Sequence, residues 1–562
     1  MKLTITTPIK LLKNLAIALF LVIPISAAHA QQAGVATAHP LATEAAHQVL
    51  AMGGNAFDAA VAATAALAVV EPAGSGLGGG GFWLLHRAED GFETMLDGRE
   101  MAPSNAHRDM YLNEDGDVIP RLSVDGPLSA GIPGVPAALA HLAEKYGKLE
   151  LSQSLNPAIR YARQGFPLDE HARRLLKFRH KAILASPAAA EIFLVDGEIP
   201  EVGHPIVQTD LANTLEMIAD TNAKGFYQGE FANKIASGVK SAGGIWEVED
   251  LINYKLVERD PIYTDYHDMK VTSAAPPSSG GIALSTMLNI LEGYDLDKFS
   301  SAQRKHLVIE AMRRAYRDRA QHLGDADFVK VPEQRLTNKD YASGLRSSIH
   351  EYKATPSDLL PTNAYHRSEG EDTTHFSIID SEGNRVAATL SINYPYGSGF
   401  MVAGTGVLLN DEMDDFSAKP GAPNVYGLIG ANANAIEPGK RPLSSMSPTF
   451  IEDDRNIVVL GTPGGSRIIT MVLLGILEYS NGGYADSIVG LKRYHHQFLP
   501  DKVVYEKGAF TEKEIELLEK WGHQLDQHSG TFGNMHVVIV DKNSETVSAS
   551  SDPRRSGQAS VK

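Results

Sequence analysis

The sequence predicts an α+β fold in which stacked β-sheets lie between layers of helix, and three observations predict it. First, three segment pairs in the last third read as hairpins with a turn cluster between their arms: "HFSIID" with "RVAATLSIN", "PTFIEDD" with "NIVVLGT", and "HVVIVD" with "TVSAS". Second, these strands are apolar on both faces and therefore need cover on both faces. Third, the middle of the chain, roughly 130 to 360, is rich in helix formers at amphipathic spacing and can supply that cover.

From the N-terminus, residues 1–30 combine a basic start, the apolar run "LAIALFLVIPISAA" and Ala28-His29-Ala30, the pattern of a secretory leader cut near Ala30. Leu41 to Met52 has helical spacing, "GGN" at 53–55 breaks it, and Ala56 to Val70 follows as an alanine-rich helix. That run is too short to cross a ~30 Å hydrocarbon core and carries Asp58, so a buried helix is expected. "EPAGSGLGGGGFWLL" then reads as a glycine loop feeding a strand, and after the second hairpin a helix starts near Arg467. Neither an internal repeat nor a low-complexity linker is apparent.

The chain has 562 residues, no cysteine and a net charge of -17; removing residues 1–30 takes away three lysines and no acid, giving -20. Such a surface argues against nucleic acid as a partner and against docking on anionic lipid. Without cysteine there is no disulfide, no thiol nucleophile and no cysteine-based zinc site, so stability must come from core burial.

Several motifs resolve to ordinary readings. Gly74, Gly76 and Gly79 satisfy G-x-G-x-x-G, but a dinucleotide loop follows a strand and opens a helix, whereas this one does the reverse. A loop whose backbone approaches other groups closely is the better reading. "SGVK" at 237–240 lacks the companion motifs of penicillin-recognising enzymes, and adjacent His495 and His496 lack metal-ligand spacing. No G-x-S-x-G elbow occurs, and neither a metal nor an organic cofactor is implied.

"TTHFS" at 373–377 remains. A threonine at a strand start is an ordinary β-propensity choice. Its hydroxyl is a weak nucleophile without a base, and no His/Asp constellation accompanies it. One arrangement supplies the base internally: cutting the peptide before Thr373 would leave an α-amine of pKa about 7.7–8.0 on the same residue as the hydroxyl.

Taken together, "GGNAFDAAVA", "EPAGSGLGGGGF", "DGREMAP", "PPSSGG", "TTHFS", "NDEMDDFSAKPG", "RPLSSMSPT" and "GTPGGSR" carry a resemblance. Over essentially the whole length after the leader, the chain resembles the γ-glutamyltransferase (γ-glutamyltranspeptidase) family of N-terminal-nucleophile hydrolases. The resemblance implies a four-layer αββα sandwich with two antiparallel sheets between helical layers. It also implies self-cleavage between Asp372 and Thr373, giving a large subunit, 31–372, and a small one, 373–562, that share one interwoven core. Freed Thr373 would attack the γ-carbonyl of glutathione or another γ-glutamyl compound and pass the acyl group to water or to an amino acid or peptide amine.

Residue roles follow from the same resemblance. Gly464 and Gly465 precede a helix, where backbone N–H groups can face an oxyanion. Arg99, with Ser444 and Ser445, would take the donor's α-carboxylate, and Asn393, Glu412 and Asp415 its ammonium. Two departures stand out. Ser391 occupies the position, 18 residues after Thr373, where the family often has a second threonine, and its hydroxyl can still bond the nucleophile. Asp372 precedes the cut. Residues 422–440, rich in Gly, Ala, Asn and Pro, are expected to form a lid with Tyr426 as a wall, so that shortening them leaves processing intact but changes substrate preference.

Two rival readings share the fold. A cephalosporin or glutaryl acylase would bind a side chain without an amino group and would have no use for Glu412 and Asp415. A catalytically silent binding protein would remain an uncut chain. The leader implies a periplasmic or secreted protein without a stable membrane anchor.

Overall fold

In a computed structural model the described residues are 32–360, 373–419 and 431–562. The leader, Asp372 and Tyr426 lie outside them.

Two antiparallel sheets form the centre. The seven-stranded sheet runs in the order Gln558–Val561, Gly34–Thr37, Thr374–Ile379, Arg385–Ser391, Gly80–Arg87, Phe92–Asp97, Val257–Arg259. The six-stranded sheet runs Val547–Ser551, His536–Asp541, Asn456–Gly461, Thr449–Glu452, Met269–Ser273, Ile262–Tyr266. All three expected hairpins are present, two in the second sheet and the one beginning at Thr374 at the heart of the first.

The sheets face one another. Ser377 Oγ donates to the His536 carbonyl at 3.0 Å, and the His375 and His536 rings stack 6.4 Å apart. Side chains of the first sheet alternate as a pleated strand requires. Val35, Phe376, Ile378, Val386 and Ala388 pack towards helices on its outer face, while Ala36, Ile379 and Ala387 join the core shared with the second sheet. Every residue of Thr374–Ile379 and Arg385–Ser391 is buried, which matches strands apolar on both faces.

Helices Pro40–Ala51, Ala56–Val70, Leu151–Gln164 and Thr209–Thr221 cover the first sheet. Gly280–Glu292, Ser301–His322 and Ile468–Ser480 cover the second. The result is the four-layer αββα sandwich. Ala56–Val70 is buried at all 15 positions and opens with Asn55 and Asp58 in a reciprocal capping box. Its alanines let the helix lie close against the sheet. Among the described residues no helix is long and apolar enough to cross a membrane.

The glycine loop behaves as a close-approach loop. A Cβ on Gly79 would stand 2.2 Å from the Ser391 carbonyl oxygen, and the backbone then enters Gly80–Arg87 beside Arg385–Ser391. "SGVK" lies on the exposed helix Gly229–Ser241, with Ser237 bonded to its own helix and Lys240 paired to Glu247. His495 and His496 are buried and hydrogen-bonded to Thr470 and Asp501 respectively.

Candidate active site

Thr373 is buried immediately before Thr374–Ile379, at one end of the central strand pair. The pairing that sets Leu390 opposite Thr374, continued by one residue, sets Ser391 opposite Thr373. The 18-residue separation is therefore the span of this hairpin, and it brings the two hydroxyls to one place. The Asn393 N–H donates to Ser391 Oγ at 2.7 Å. That lone pair is occupied, so the Ser391 proton is available to Thr373. Asn393 sits at φ 71°, in the left-handed region that asparagine tolerates, and its side-chain amide is held by the Asp411 carbonyl at 3.0 Å.

A cleft of about 290 Å³ opens onto this strand end, lined by Thr373, Ser391 and Asn393 on one side and by Glu412, Asp415, Ser444, Ser445 and Gly465 on the other. Eight of the expected residues thus converge on one small polar space.

Gly464 and Gly465 form the turn ahead of helix Ile468–Ser480, with φ 139° and 55°. Gly465 reaches the cleft; Gly464 lies beside it, where a Cβ would stand 2.5 Å from Met471 Cε. At this φ a side chain at 464 would be strained in the backbone, although the Met471 tip could move aside, so the backbone conformation is what favours glycine there. Tyr316, on Ser301–His322, donates its hydroxyl to the Ser466 carbonyl and ties this turn to the helical layer.

The serine pair is held by the "PPSSGG" motif. Ser279 N–H and Oγ both donate to the Ser444 carbonyl, at 2.8 and 2.6 Å, and Ser444 N–H donates to the Pro277 carbonyl at 2.9 Å. Ser278 Oγ donates to the Met446 carbonyl at 2.6 Å. The conformation of 444–446 is thus fixed by a segment more than 160 residues earlier.

Arg99 lies under the acidic side of the cleft with no exposure. Nη1 pairs with Glu412, Nη2 with Asp415 at 2.5 Å, and Nε donates to the Pro442 carbonyl at 3.2 Å. Three of its five N–H groups are so engaged, which leaves one on each terminal nitrogen. The sequence reading sets Arg99 against a ligand carboxylate; in the structure its guanidinium also holds Glu412 and Asp415. Glu100 adds a third carboxylate 3.5 Å from Arg99, and both of its oxygens lack a hydrogen-bond partner.

One guanidinium beside two buried acids and the half-buried Asp415 leaves excess negative charge, and protons answer it. Burial, reinforced by Asp415 and opposed by Arg99, pushes the Glu412 carboxyl up to about 7. Burial and the neighbouring Glu412 raise Glu100 well above the usual carboxylate range. A site that holds acids in this state is ready to accept a cation.

The expected lid divides in two. Tyr426 lies outside the described residues, but 431–440 form part of the site's frame. Asn434 donates to the Asp415 carbonyl at 2.7 Å and accepts from Leu443 N–H at 2.9 Å, and Ser417 N–H donates to the Asn434 carbonyl. Shortening all of 422–440 would remove this brace along with the expected lid, so its effects on processing and on substrate or acceptor preference would be mixed. Deletion confined to residues within 420–430 is the informative change. It should preserve chain cleavage on a denaturing gel while altering relative rates across donors, and an unchanged donor profile would remove the lid reading.

Away from the cleft, His306, Glu310 and His523 come within metal-binding reach of one another. Their donors are already committed. The two rings are hydrogen-bonded to each other at 2.7 Å, and Glu310 is shared between Arg313 and Arg314. Sequence reasoning also missed Arg319, whose guanidinium meets Ser279 and Ser445 beneath the cleft. The "SS" motifs it joins were visible, but nothing in the sequence tied residue 319 to them.

An αββα sandwich with a threonine at the head of a central strand, beside a glycine turn at a helix start, is the architecture of the N-terminal-nucleophile hydrolases. The γ-glutamyltranspeptidase family model matches residues 42–562. The Escherichia coli K12 glutathione hydrolase proenzyme is 43% identical over 530 residues, covering 93% of this chain and 91% of that one. The chain belongs to the γ-glutamyltranspeptidase family. Among solved structures, a cephalosporin acylase from Bacillus halodurans superposes with a TM-score of 0.82 at 27% identity, covering 94% of this chain and 96% of that one. The Helicobacter pylori γ-glutamyltranspeptidase gives 0.56 at 42% identity, covering 57% of this chain and 92% of that one.

Proposed function

We propose that the chain is a proenzyme that cuts itself between Asp372 and Thr373 and then acts, through Thr373, as a γ-glutamyltransferase and glutathione hydrolase. The observation that carries this reading is the convergence of Thr373 and Ser391 with Glu412, Asp415, Ser444, Ser445 and Gly465 around one cleft. Relatives called glutathione hydrolase proenzymes support both the substrate and the self-cleavage.

In the cut, Thr373 Oγ attacks the Asp372 carbonyl carbon, the C–N bond breaks and the α-amine is released; water then hydrolyses the ester. The products are a large subunit ending at Asp372 and a small one beginning at Thr373. In turnover, the freed α-amine takes the hydroxyl proton as Oγ attacks the donor's γ-carbonyl. The oxyanion is met by N–H groups of the Gly464–Gly465 turn, and the departing amine of the donor leaves with the proton. The γ-glutamyl ester on Thr373 is then resolved by water, which gives glutamate, or by an amino acid or peptide amine, which gives transfer.

Donor binding is an exchange of ion pairs. The incoming ammonium takes Glu412 and Asp415, with Asn393 beside it, and the α-carboxylate takes the two unused Arg99 N–H groups and the hydroxyls of Ser444 and Ser445. Each buried charge keeps an opposite partner throughout, which keeps the desolvation cost low. The leader pattern of residues 1–30 supports export to the periplasm or beyond the cell, with cleavage near Ala30.

The likeness to a cephalosporin acylase favours a second reading, an amidase for glutaryl side chains. Comparing γ-glutamyl-p-nitroanilide with glutaryl-p-nitroanilide separates the two. The acid pair should favour the γ-glutamyl compound by at least about a hundredfold in kcat/KM, because the glutaryl compound has no ammonium to pair with Glu412 and Asp415. Equal rates, or a preference for glutaryl, would overturn the assignment.

A further inference from the structure

Arg319 is a buried cation that the proposed mechanism does not use. It is 4% exposed, on helix Ser301–His322, one turn beyond Tyr316. Nε donates to Ser279 Oγ at 2.9 Å and Nη2 to Ser445 Oγ at 3.1 Å. Among the described residues no carboxylate forms an ion pair with it; the titratable groups whose fields reach it are Tyr316 on its own helix, then Asp415 and Arg99. Burial pulls its guanidinium down to about 10, which still leaves it charged at neutral pH.

An unpaired buried guanidinium is costly unless something negative arrives to meet it. Ser445, whose hydroxyl meets Arg319, lines the donor cleft, so that hydroxyl links the guanidinium to the cleft. Arginine donates and never accepts. Ser445 Oγ must therefore accept from Arg319, and its single proton is directed elsewhere. The same logic applies to Ser444, whose Oγ accepts from Met446 N–H at 3.1 Å. Both hydroxyls are thereby set as donors at one end of the cleft.

We infer that Arg319 is the specificity-determining residue for the donor's α-carboxylate: it fixes the Ser445 hydroxyl as a donor and adds a second positive charge at that end. The inference rests on the proposed γ-glutamyl chemistry. Arg319 does not touch the donor; it positions Ser445, and its field reaches the carboxylate through that hydroxyl. Arg99 and Arg319 then flank the carboxylate from two sides, while the acids hold the ammonium. Its place one turn after Tyr316 means that a single helix braces both the oxyanion turn and the carboxylate end of the cleft.

The test compares γ-glutamyl-p-nitroanilide with 4-aminobutyryl-p-nitroanilide, which keeps the ammonium and lacks the α-carboxylate, on the processed wild type and on Arg319→Gln, Arg319→Lys, Ser445→Ala and the double variant Arg319→Gln/Ser445→Ala. Arg319→Gln should raise KM for the γ-glutamyl donor roughly ten- to hundredfold with kcat changed less than about threefold, so the preference between donors collapses by the same factor. Arg319→Lys, which keeps the charge and loses the planar fork, should fall between. The double variant should lose little more than the worse single one, because the two residues act as one unit. A general structural role would instead lower kcat/KM equally for both donors, or make the two losses additive, and either result would overturn the inference. Should Arg319→Gln not fold, Arg319→Lys decides by the same ratio. Wild type inert towards both anilides would overturn the proposed function itself.

Discussion

Thr373→Ala yields a single uncut chain of about 60 kDa that turns over no γ-glutamyl-p-nitroanilide. Two losses are combined in that result, and they can be separated. Processing fails because no hydroxyl attacks the Asp372 carbonyl. Catalysis fails because the alanine cannot form the acyl ester. Producing 31–372 and 373–562 as separate chains in one cell, with alanine at 373, removes the first defect and leaves the second. Activity should remain at least about a thousandfold below that of the same pair with threonine, since alanine at 373 offers no oxygen on which the acyl ester can form. Thr373→Ser should retain both steps at reduced rate, as the hydroxyl survives without the methyl that fixes its rotamer. Recovery of activity by the separately made alanine pair would show that another residue performs the chemistry.

The second large effect belongs to Arg99. Arg99→Met keeps much of the volume and removes the guanidinium that pairs with Glu412, Asp415 and, at 3.5 Å, Glu100. The buried Glu412 and Glu100 carboxylates are left beside the half-buried Asp415, and breaking a buried pair from one side costs about 3–5 kcal/mol. The loss depends on pH with a definite sign. The Glu412 carboxyl sits at about 7 in the folded protein against a usual value of 4.5, so the folded state holds a proton that the unfolded state has lost between those values. Stability from this group is fully present below pH 4.5 and declines as pH rises through about 7. Without Arg99 the acids hold their protons more tightly still and the decline extends to higher pH. Thermal melts should therefore show a small difference between Arg99→Met and wild type near pH 5 and the full difference at pH 8. A difference independent of pH would mean that the acids are not what Arg99 stabilises. Donor KM should rise in the same variant, because the α-carboxylate loses its bidentate partner.

Much of this architecture is legible in the sequence wherever the controlling interactions are local. The hairpin from Thr374 to Ser391 announces itself by two apolar runs and a turn cluster, and its geometry explains why a hydroxyl residue recurs 18 positions after Thr373. The alanine run at 56–70 reads as a buried helix because nothing else about that composition fits a surface. The glycine loop is legible as a close approach, though what it approaches, the backbone of Ser391, is not. Strands Gly34–Thr37 and Gln558–Val561 escape detection because each is only four residues long and their pairing spans more than 500 residues. No local pattern encodes such a pairing.

The same limit applies to the site. Arg99, Glu412 and Asp415 are recognisable through the motifs that surround them, but their mutual pairing across more than 300 residues is a property of the packed chain. Asn434 reads as one polar residue in a Gly-, Ala- and Asn-rich stretch until its two hydrogen bonds show it bracing Asp415 against Leu443. Arg319 sits on a helix crowded with arginines, and only packing shows which of them faces the serine pair.

The most direct test of the central claim is intact mass and N-terminal sequencing of the purified wild-type protein. The account predicts two chains, the smaller of 190 residues beginning Thr-Thr-His-Phe, with the peptide bond after Asp372 cut. A single chain, or a cut at any other bond, would contradict it: Thr373 would then carry no free amine, and "TTHFS" would be only the start of a strand.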